Sequence, residues 1–275
     1  MAAREVLVVT GAGGMGEATA RRLGGGRAVV LADFDEAQLD RVSTALRGDG
    51  FDVHPVRVDV SSVADMTMLA ATAAALGMIR CVAHTAGVSP VQATSQQIVA
   101  VDVIGTARVL DAFEEYVQPG TVAVCIASMA GTMMTLAPDV LRTFAVTPTD
   151  ELAALPALDP ESLVPGIAYA VAKRANQMRV QAASIPWGRR GGRVVSISPG
   201  VISTPMGQAE LSGSSGEMMQ HLIDMSGTQR IGTADDIVAA VEFLASPAAS
   251  FITGTDLLVD GGAVAALGAS PDGDN

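Results

Sequence analysis

The most constraining feature of the chain is its glycine-rich run Thr10-Gly11-Ala12-Gly13-Gly14-Met15-Gly16, which follows the apolar stretch Val6 to Thr10 and leads into Glu17-Ala18-Thr19-Ala20-Arg21. Without Cβ atoms a backbone turns tightly and approaches a pyrophosphate closely, while free N–H groups and the positive end of the next helix face the anion. Strand, glycine turn and helix in that order predict the opening of an α/β sheet built around a dinucleotide. Standing alone, the same run is a weak signal, because a plain glycine-rich strand-to-helix turn carries it too.

The rest of the chain repeats the rhythm. Short apolar runs at Val6–Thr10, Ala28–Asp33, Val53–Val60, Ile79–His84, Thr121–Ala127, Arg193–Ser198 and Asp256–Asp260 predict strands. Most lack alternation, as expected of strands covered on both faces. Helical stretches lie between them at Gly14–Leu23, Asp35–Leu46, Ser62–Leu76, Ser95–Tyr116, Gly166–Ile185 and Thr233–Ala245. The pattern predicts a doubly wound Rossmann fold with a seven-stranded parallel sheet, in one catalytic domain over residues 1–268. Between Ser128 and Tyr169 lie 40 residues with five prolines, too many for a plain loop. They predict a helical insertion over 132–165, with two short helices opening at Thr147-Pro148 and Asp159-Pro160. A variable loop over 206–229 carries an apolar-faced helix from Glu217 to Met225, and 269–275 reads as a flexible tail.

Composition removes several classes of function. With 49% hydrophobic and 17% charged residues the chain builds a sizeable core, which excludes disorder. Its 17 Lys and Arg against 29 Asp and Glu leave −12, a charge that repels nucleic acid and anionic lipid surfaces. Cys81 and Cys125 sit in apolar runs and read as buried free thiols of a reducing compartment. No apolar run reaches membrane-spanning length, and the start enters a strand without a signal-peptide core, so a cytoplasmic location is expected. His54, His84 and His221 lack metal-ligand spacing, so no metal site is expected.

Asp33 ends the second strand, 17 positions after Gly16, where a carboxylate accepts hydrogen bonds from the adenine ribose hydroxyls and repels a 2′-phosphate. No Arg or Lys lies inside the loop, or next to Asp33, to welcome that phosphate, so the expected cofactor is NAD. The competing role for Asp33 is to cap the helix beginning near Asp35. Further on, Tyr169-Ala170-Val171-Ala172-Lys173 places a phenol and an ammonium on one helical face. An ordinary phenol ionises near pH 10; to act as a base near neutrality it must fall by about 3 pH units, roughly 4 kcal/mol, and a neighbouring cation has the right sign. Ser128, at the end of the fifth strand, is placed to orient a substrate oxygen towards that phenol.

Taken together, the glycine loop, Asp59-Val60, Ala86-Gly87, Ser128, Tyr169 with Lys173, Pro199 to Thr204 and Val259-Asp260-Gly261-Gly262 resemble the short-chain dehydrogenase/reductase family from Thr10 to Gly262. The resemblance implies that Tyr169 is the general acid/base, that Lys173 lowers its pKa and holds the nicotinamide ribose, and that Ser128 polarises the substrate oxygen. It further implies cofactor contacts from Gly11, Gly13, Gly14, Met15 and Gly16, and from Asp33, Phe34, Asp59, Val60, Ala86 and Gly87. Pro199, Gly200, Val201 and Thr204 would meet the nicotinamide side. The activity implied is hydride transfer between NAD and a secondary alcohol or ketone, in a homo-oligomer, dimer or tetramer.

Three departures stand out. The loop is one residue shorter than the family's TGxxxGxG. His84-Thr85 replaces Asn-Asn ahead of Ala86-Gly87, where a histidine satisfied by backbone is the expected arrangement. Asp102 stands where the family has the asparagine of its catalytic set, and an ionised carboxylate there would oppose Lys173 in its effect on Tyr169. The insertion resembles that of the bacterial 3-alpha-hydroxysteroid dehydrogenase type and is placed to cover the surface through which relatives pair. With Met133 and Met134 near the loop over 206–229, an apolar, steroid-like substrate is expected. Two other readings fit the same residues: an NAD-dependent epimerase or dehydratase, against which the short stretch after Gly262 counts, and a cofactor-binding regulator without turnover.

Overall fold

The computed structural model describes residues 4–269. Seven parallel strands form one sheet: β1 (Glu5–Thr10), β2 (Ala28–Asp33), β3 (Asp52–Arg57), β4 (Met78–His84), β5 (Val122–Ile126), β6 (Arg193–Pro199) and β7 (Asp256–Val259), in the order β3-β2-β1-β4-β5-β6-β7. The helices are α1 (Gly14–Leu23), α2 (Glu36–Gly48), α3 (Val63–Leu76), α4 (Ser95–Ile98), α5 (Thr106–Glu114), α6 (Met129–Met133), α7 (Pro138–Val146), α8 (Pro165–Arg189), α9 (Pro205–Leu211), α10 (Gly216–Met225), α11 (Ala234–Ala245) and α12 (Ala263–Ala269). The doubly wound sheet expected from the apolar runs is the one observed. Among the described residues no helix is long and apolar enough to cross a membrane.

Strands β1 to β6 feed two cores, because successive side chains point to opposite faces. Leu7, Val9, Leu31, Val124 and Ile197 pack with α1, α2 and α11 on one side; Val6, Val8, Val30, Val82 and Val194 pack with α3, α5 and α8 on the other. Full burial of a side chain of this size contributes about 1.5–3 kcal/mol. The chain leaves β1 in one direction to β2 and returns on its other side to β4, so the ends of β1 and β4 open the crevice where such sheets bind ligands. β3 is shorter than expected and lies at the edge. Pro55 has no N–H to give there, and after Arg57 the chain turns away through Asp59, whose carboxylate accepts from the N–H and hydroxyl of Ser61.

The predicted helix Ser95–Tyr116 is interrupted by one π-helical segment, Val99–Gly105, between α4 and α5, and ends at Glu114. Helix α8 runs past Pro186, where an end was expected. Trp187 anchors the last turn, fully buried with its indole N–H on the Leu110 carbonyl at 3.3 Å.

The insertion differs in detail from expectation. Its main helix is α7, with Pro138 at the first position; Thr147-Pro148 leads only into a 3-10 segment, Thr149–Ala154, and a second spans Pro156–Leu158. Asp159-Pro160 opens no helix: the Asp159 carboxylate accepts from the Glu161 N–H and its carbonyl from Ser162, closing a turn. Phe144, Leu152 and Leu158 are fully buried against Ile98, Val103, Ala172 and Ala175, so the insertion covers the outer face of the π-helical segment and of α8. The loop over 206–229 holds α9 and α10. The expected tail begins inside α12 at Ala269, and 270–275 lie outside the described residues.

Candidate active site

The glycine loop crosses the crevice. Gly11 has φ +88°, and a Cβ there would lie 2.6 Å from the Ala86 nitrogen; one on Gly16 would lie 1.8 Å from the Gly11 carbonyl oxygen. Those two glycines are required by close packing of strand and helix. Gly13 differs, with no heavy atom near its Cβ position, so the open space at the start of α1 is real room in front of a helix end that has no side-chain cap. Gly14 faces the Thr204 side chain across the crevice, and Met15 packs into the core below. A diphosphate fits this cradle: among the described residues the first N–H groups of α1 have no side-chain acceptor, and an anion satisfies them.

At the adenosine end the Asp33 carboxylate takes the Ala12 N–H at 2.5 Å and the Asp35 N–H at 2.8 Å, so it braces the shortened loop. The cap of α2 is Asp35, which accepts from Gln38, so the competing role for Asp33 is filled by its neighbour. One expectation is corrected here. Arg57 is the cross-strand partner of Asp33, and its guanidinium lies 5.0 Å from the ring centroid of Phe34, which is 63% exposed. Sequence distance hid a cation that strand register brings alongside. Asp59 is committed to its own turn, and Val60 packs under Gly105.

His84 is held by two hydroxyls, contrary to the expected backbone partners: its Nδ1 lies 2.7 Å from Thr10 Oγ1 and its Nε2 3.0 Å from Thr106 Oγ1. Thr106 gives its one proton to the Asp102 carbonyl at 2.7 Å, so it accepts from Nε2–H, and Nδ1 accepts from Thr10. Burial, with Lys173 adding to it, pushes this imidazole down to about 3 and keeps it neutral. Thr85 ties the Thr10 and Gly11 carbonyls at 2.9 Å each. Cys81 and Cys125 are buried free thiols, as expected, each pushed up to about 12 by burial.

The four expected catalytic residues converge. Ser128 caps α6 and accepts the Ala130 N–H at 3.2 Å; α6 lies so close to α8 that a Cβ on Gly131 would be 2.6 Å from the Lys173 carbonyl carbon. The Lys173 ammonium, 5.3 Å from the Tyr169 ring centroid, donates to the Ile126 carbonyl at 3.4 Å and faces Asp102 Oδ2 at 3.7 Å. Asp102 is fully buried, and its Oδ1 accepts the Val88 N–H at 2.9 Å. Gly87 fits between: a Cβ there would be 3.0 Å from Asp102 Oδ1 and 3.1 Å from Lys173 Nζ.

Electrostatically the site is balanced against phenolate. Burial raises the Tyr169 pKa; Lys173 and the nearby Ser128 hydroxyl pull it down, but Asp102 and Glu210 push it up, and the net direction is upward. Burial raises Asp102, with Lys173 and the Val88 N–H opposing. Burial disfavours the Lys173 charge, but Asp102 leads the groups that outweigh it and hold its pKa above the ordinary lysine value.

On the other side of the crevice, Pro199 ends β6, and a Cβ on Gly200 would meet Asp260 at 2.7 Å. Val201 packs with Met129, Leu222 and Ile223 beneath α10, and Thr204 caps α9 by accepting from Gly207. Glu210, on α9, acts on both Tyr169 and Lys173 and was missed because that helix was read as loop. Of the expected methionines, Met133 is exposed and Met134 packs into the insertion.

Comparison with known proteins agrees with this geometry. The model of the short chain dehydrogenase family matches residues 5–137, and that of the enoyl-(acyl carrier protein) reductase family matches 161–264, leaving α7 and both 3-10 segments between them. A short-chain dehydrogenase/reductase of Alternaria brassicicola, bsc3, is 40% identical over 96% of this chain and 97% of its own. The 3-alpha-hydroxysteroid dehydrogenase/carbonyl reductase of Comamonas testosteroni is 27% identical over 94% of this chain and 95% of its own. Among solved structures, levodione reductase superposes with a TM-score of 0.76 at 24% identity, covering 95% of this chain and 98% of that one. With the glycine cradle, the parallel sheet and the Ser128, Tyr169 and Lys173 cluster, these matches establish that the chain belongs to the short-chain dehydrogenase/reductase family of oxidoreductases.

Proposed function

We propose that the protein interconverts a secondary alcohol and a ketone with NAD as cofactor, using Tyr169 as the general acid/base. The observation that carries this reading is the meeting of Ser128, Tyr169 and Lys173 at the mouth of a crevice whose far end holds Gly13, open, and Asp33. The start of α1 would hold the diphosphate, Asp33 the adenine ribose hydroxyls and Lys173 the nicotinamide ribose. When bound, the oxidised nicotinamide supplies the hydride acceptor and a positive charge that favours phenolate. In oxidation, Ser128 Oγ–H donates to the substrate oxygen and orients it, and Tyr169 Oη takes the hydroxyl proton; in reduction Tyr169 returns it. Asp102 is a positioning residue: it fixes the Val88 backbone and the place and charge of Lys173.

Residues 1–268 act in this proposal as one catalytic domain, with 206–229 as the substrate loop and 132–165 as the helical insertion. The apolar cluster of Met129, Val201, Leu211, Met219 and Leu222 favours an apolar, alicyclic or steroid-like substrate, in keeping with the name of the Comamonas relative. A cytoplasmic homo-oligomer, dimer or tetramer, completes the proposal. Because the insertion covers α8, subunits would pair through other surfaces. A panel of alicyclic and steroid alcohols, followed by reduction of NAD in absorbance, tests the reading. Turnover of a secondary alcohol is expected, and absence of turnover across the panel with both NAD and NADP would refute it.

A further inference from the structure

The adenosine end of the crevice carries an arrangement that the acid at the end of β2 does not explain. Asp33 has each carboxylate oxygen already engaged by a backbone N–H, from Ala12 and from Asp35. Directly opposite in the β2–β3 register stands Arg57. It makes no ion pair with Asp33 among the described residues. Its guanidinium instead covers the face of Phe34, the residue that follows Asp33, at 5.0 Å. Both side chains are exposed, Phe34 to 63%, although an aromatic ring gains nothing by standing in water. The pair is therefore a planar cation resting on an aromatic face, opposite Asp33 in the strand register and with no hydrogen-bond or ion-pair partner among the described residues.

We propose that Arg57, held by Phe34, is a second determinant of cofactor choice, which receives a phosphate on the adenine ribose and lets the site take NADP as well as NAD. The inference rests on the reading of the crevice as a nicotinamide-dinucleotide site. Asp33 alone would repel a doubly charged phosphate. A guanidinium beside it offers paired donors in the geometry that phosphate accepts, and offsets the repulsion. The discrimination against NADP is then a difference between two opposed charges, smaller than a lone carboxylate imposes. Since Arg57 is exposed, its contribution shrinks with added salt.

Calorimetric titration of NAD and NADP into wild type, Arg57→Ala, Arg57→Lys and Phe34→Leu reads this directly, with binding and not turnover as the signal. Arg57→Ala is expected to raise the ratio of Kd for NADP to Kd for NAD about tenfold at low salt, and less at high salt. Arg57→Lys keeps part of the effect, and Phe34→Leu, which frees the guanidinium to wander, raises the ratio in the same direction. If Arg57→Ala weakens both cofactors equally, or neither, Arg57 serves stacking or the surface only and the inference is overturned. Failure of either dinucleotide to bind wild type would instead sink the functional reading beneath it.

Discussion

Replacing Asp102 by Asn tests how the buried charges set the reactivity of Tyr169. The substitution keeps the Oδ1 acceptor for the Val88 N–H and the shape of the side chain, but deletes the negative charge 3.7 Å from Lys173. At an effective dielectric of about 20, a unit pair at that separation is worth about 4–5 kcal/mol. Asp102 acts on the phenol less strongly than Lys173 does, so that figure is an upper bound for its effect on Tyr169. With Lys173 charged in both proteins, the sign follows from the chemistry: a carboxylate disfavours phenolate, so its removal lowers the Tyr169 pKa. The alkaline-rising limb of alcohol oxidation should move to lower pH. The assay is kcat/KM against pH from about pH 6 to about pH 11 for both proteins. Thermal unfolding provides the control that the variant is folded. An unmoved profile would mean that only the π-helical backbone matters at position 102, and a shift to higher pH would contradict the electrostatic argument.

The neutral buried His84 predicts acid sensitivity. The unfolded chain takes up its proton near pH 6.5 and the folded one at about 3, so stability present above the unfolded value is lost as pH falls between them, at up to about 1.4 kcal/mol per pH unit. His84→Asn should flatten the slope of unfolding free energy over that window, and an unchanged slope would exclude His84 as its source. Asp33→Ala releases the Ala12 N–H as well as the ribose site, so calorimetry should show weaker binding of NAD and a narrowed preference over NADP; a widened preference would contradict the role of the carboxylate. Gly131→Ala places a methyl group against the Lys173 backbone, which cannot yield, and should lower kcat by about tenfold or more with a smaller change in cofactor affinity. Wild-type kcat in that variant would show that the spacing of α6 and α8 does not position Ser128.

What the sequence disclosed, and what it hid, follows from the range of each interaction. The strands, the glycine turn and the Tyr169–Lys173 pair depend on neighbours within a few positions, and apart from the shortened β3 their elements appear where the periodicity places them. Within the insertion the same logic misdirected. Asp159-Pro160 has the residues of a helix start, but Pro165 opens α8 a few residues later and leaves room only for a turn. The pattern Val140, Leu141, Phe144, Ala145 after Pro138 carried the true helix, and Phe144 is its buried contact. Arg57 was invisible beside Asp33 because 24 positions of chain separate them, and only the parallel register of an edge strand joins them. The partners of His84 are equally remote, from β1 and α5. Glu210 acts through the field it adds to the site, and no local pattern announces that.

The central claim is that the Tyr169 phenol carries the proton of an alcohol–ketone interconversion, and Tyr169→Phe isolates it by removing one oxygen from a side chain already seated in the fold. Steady-state turnover of an alcohol accepted by the wild type, measured alongside calorimetric binding of the cofactor to both proteins, tests it most directly. Cofactor affinity within about threefold of wild type, with kcat reduced by at least about a thousandfold, is the predicted result. Turnover by the Tyr169→Phe protein within about tenfold of wild type would contradict the mechanism.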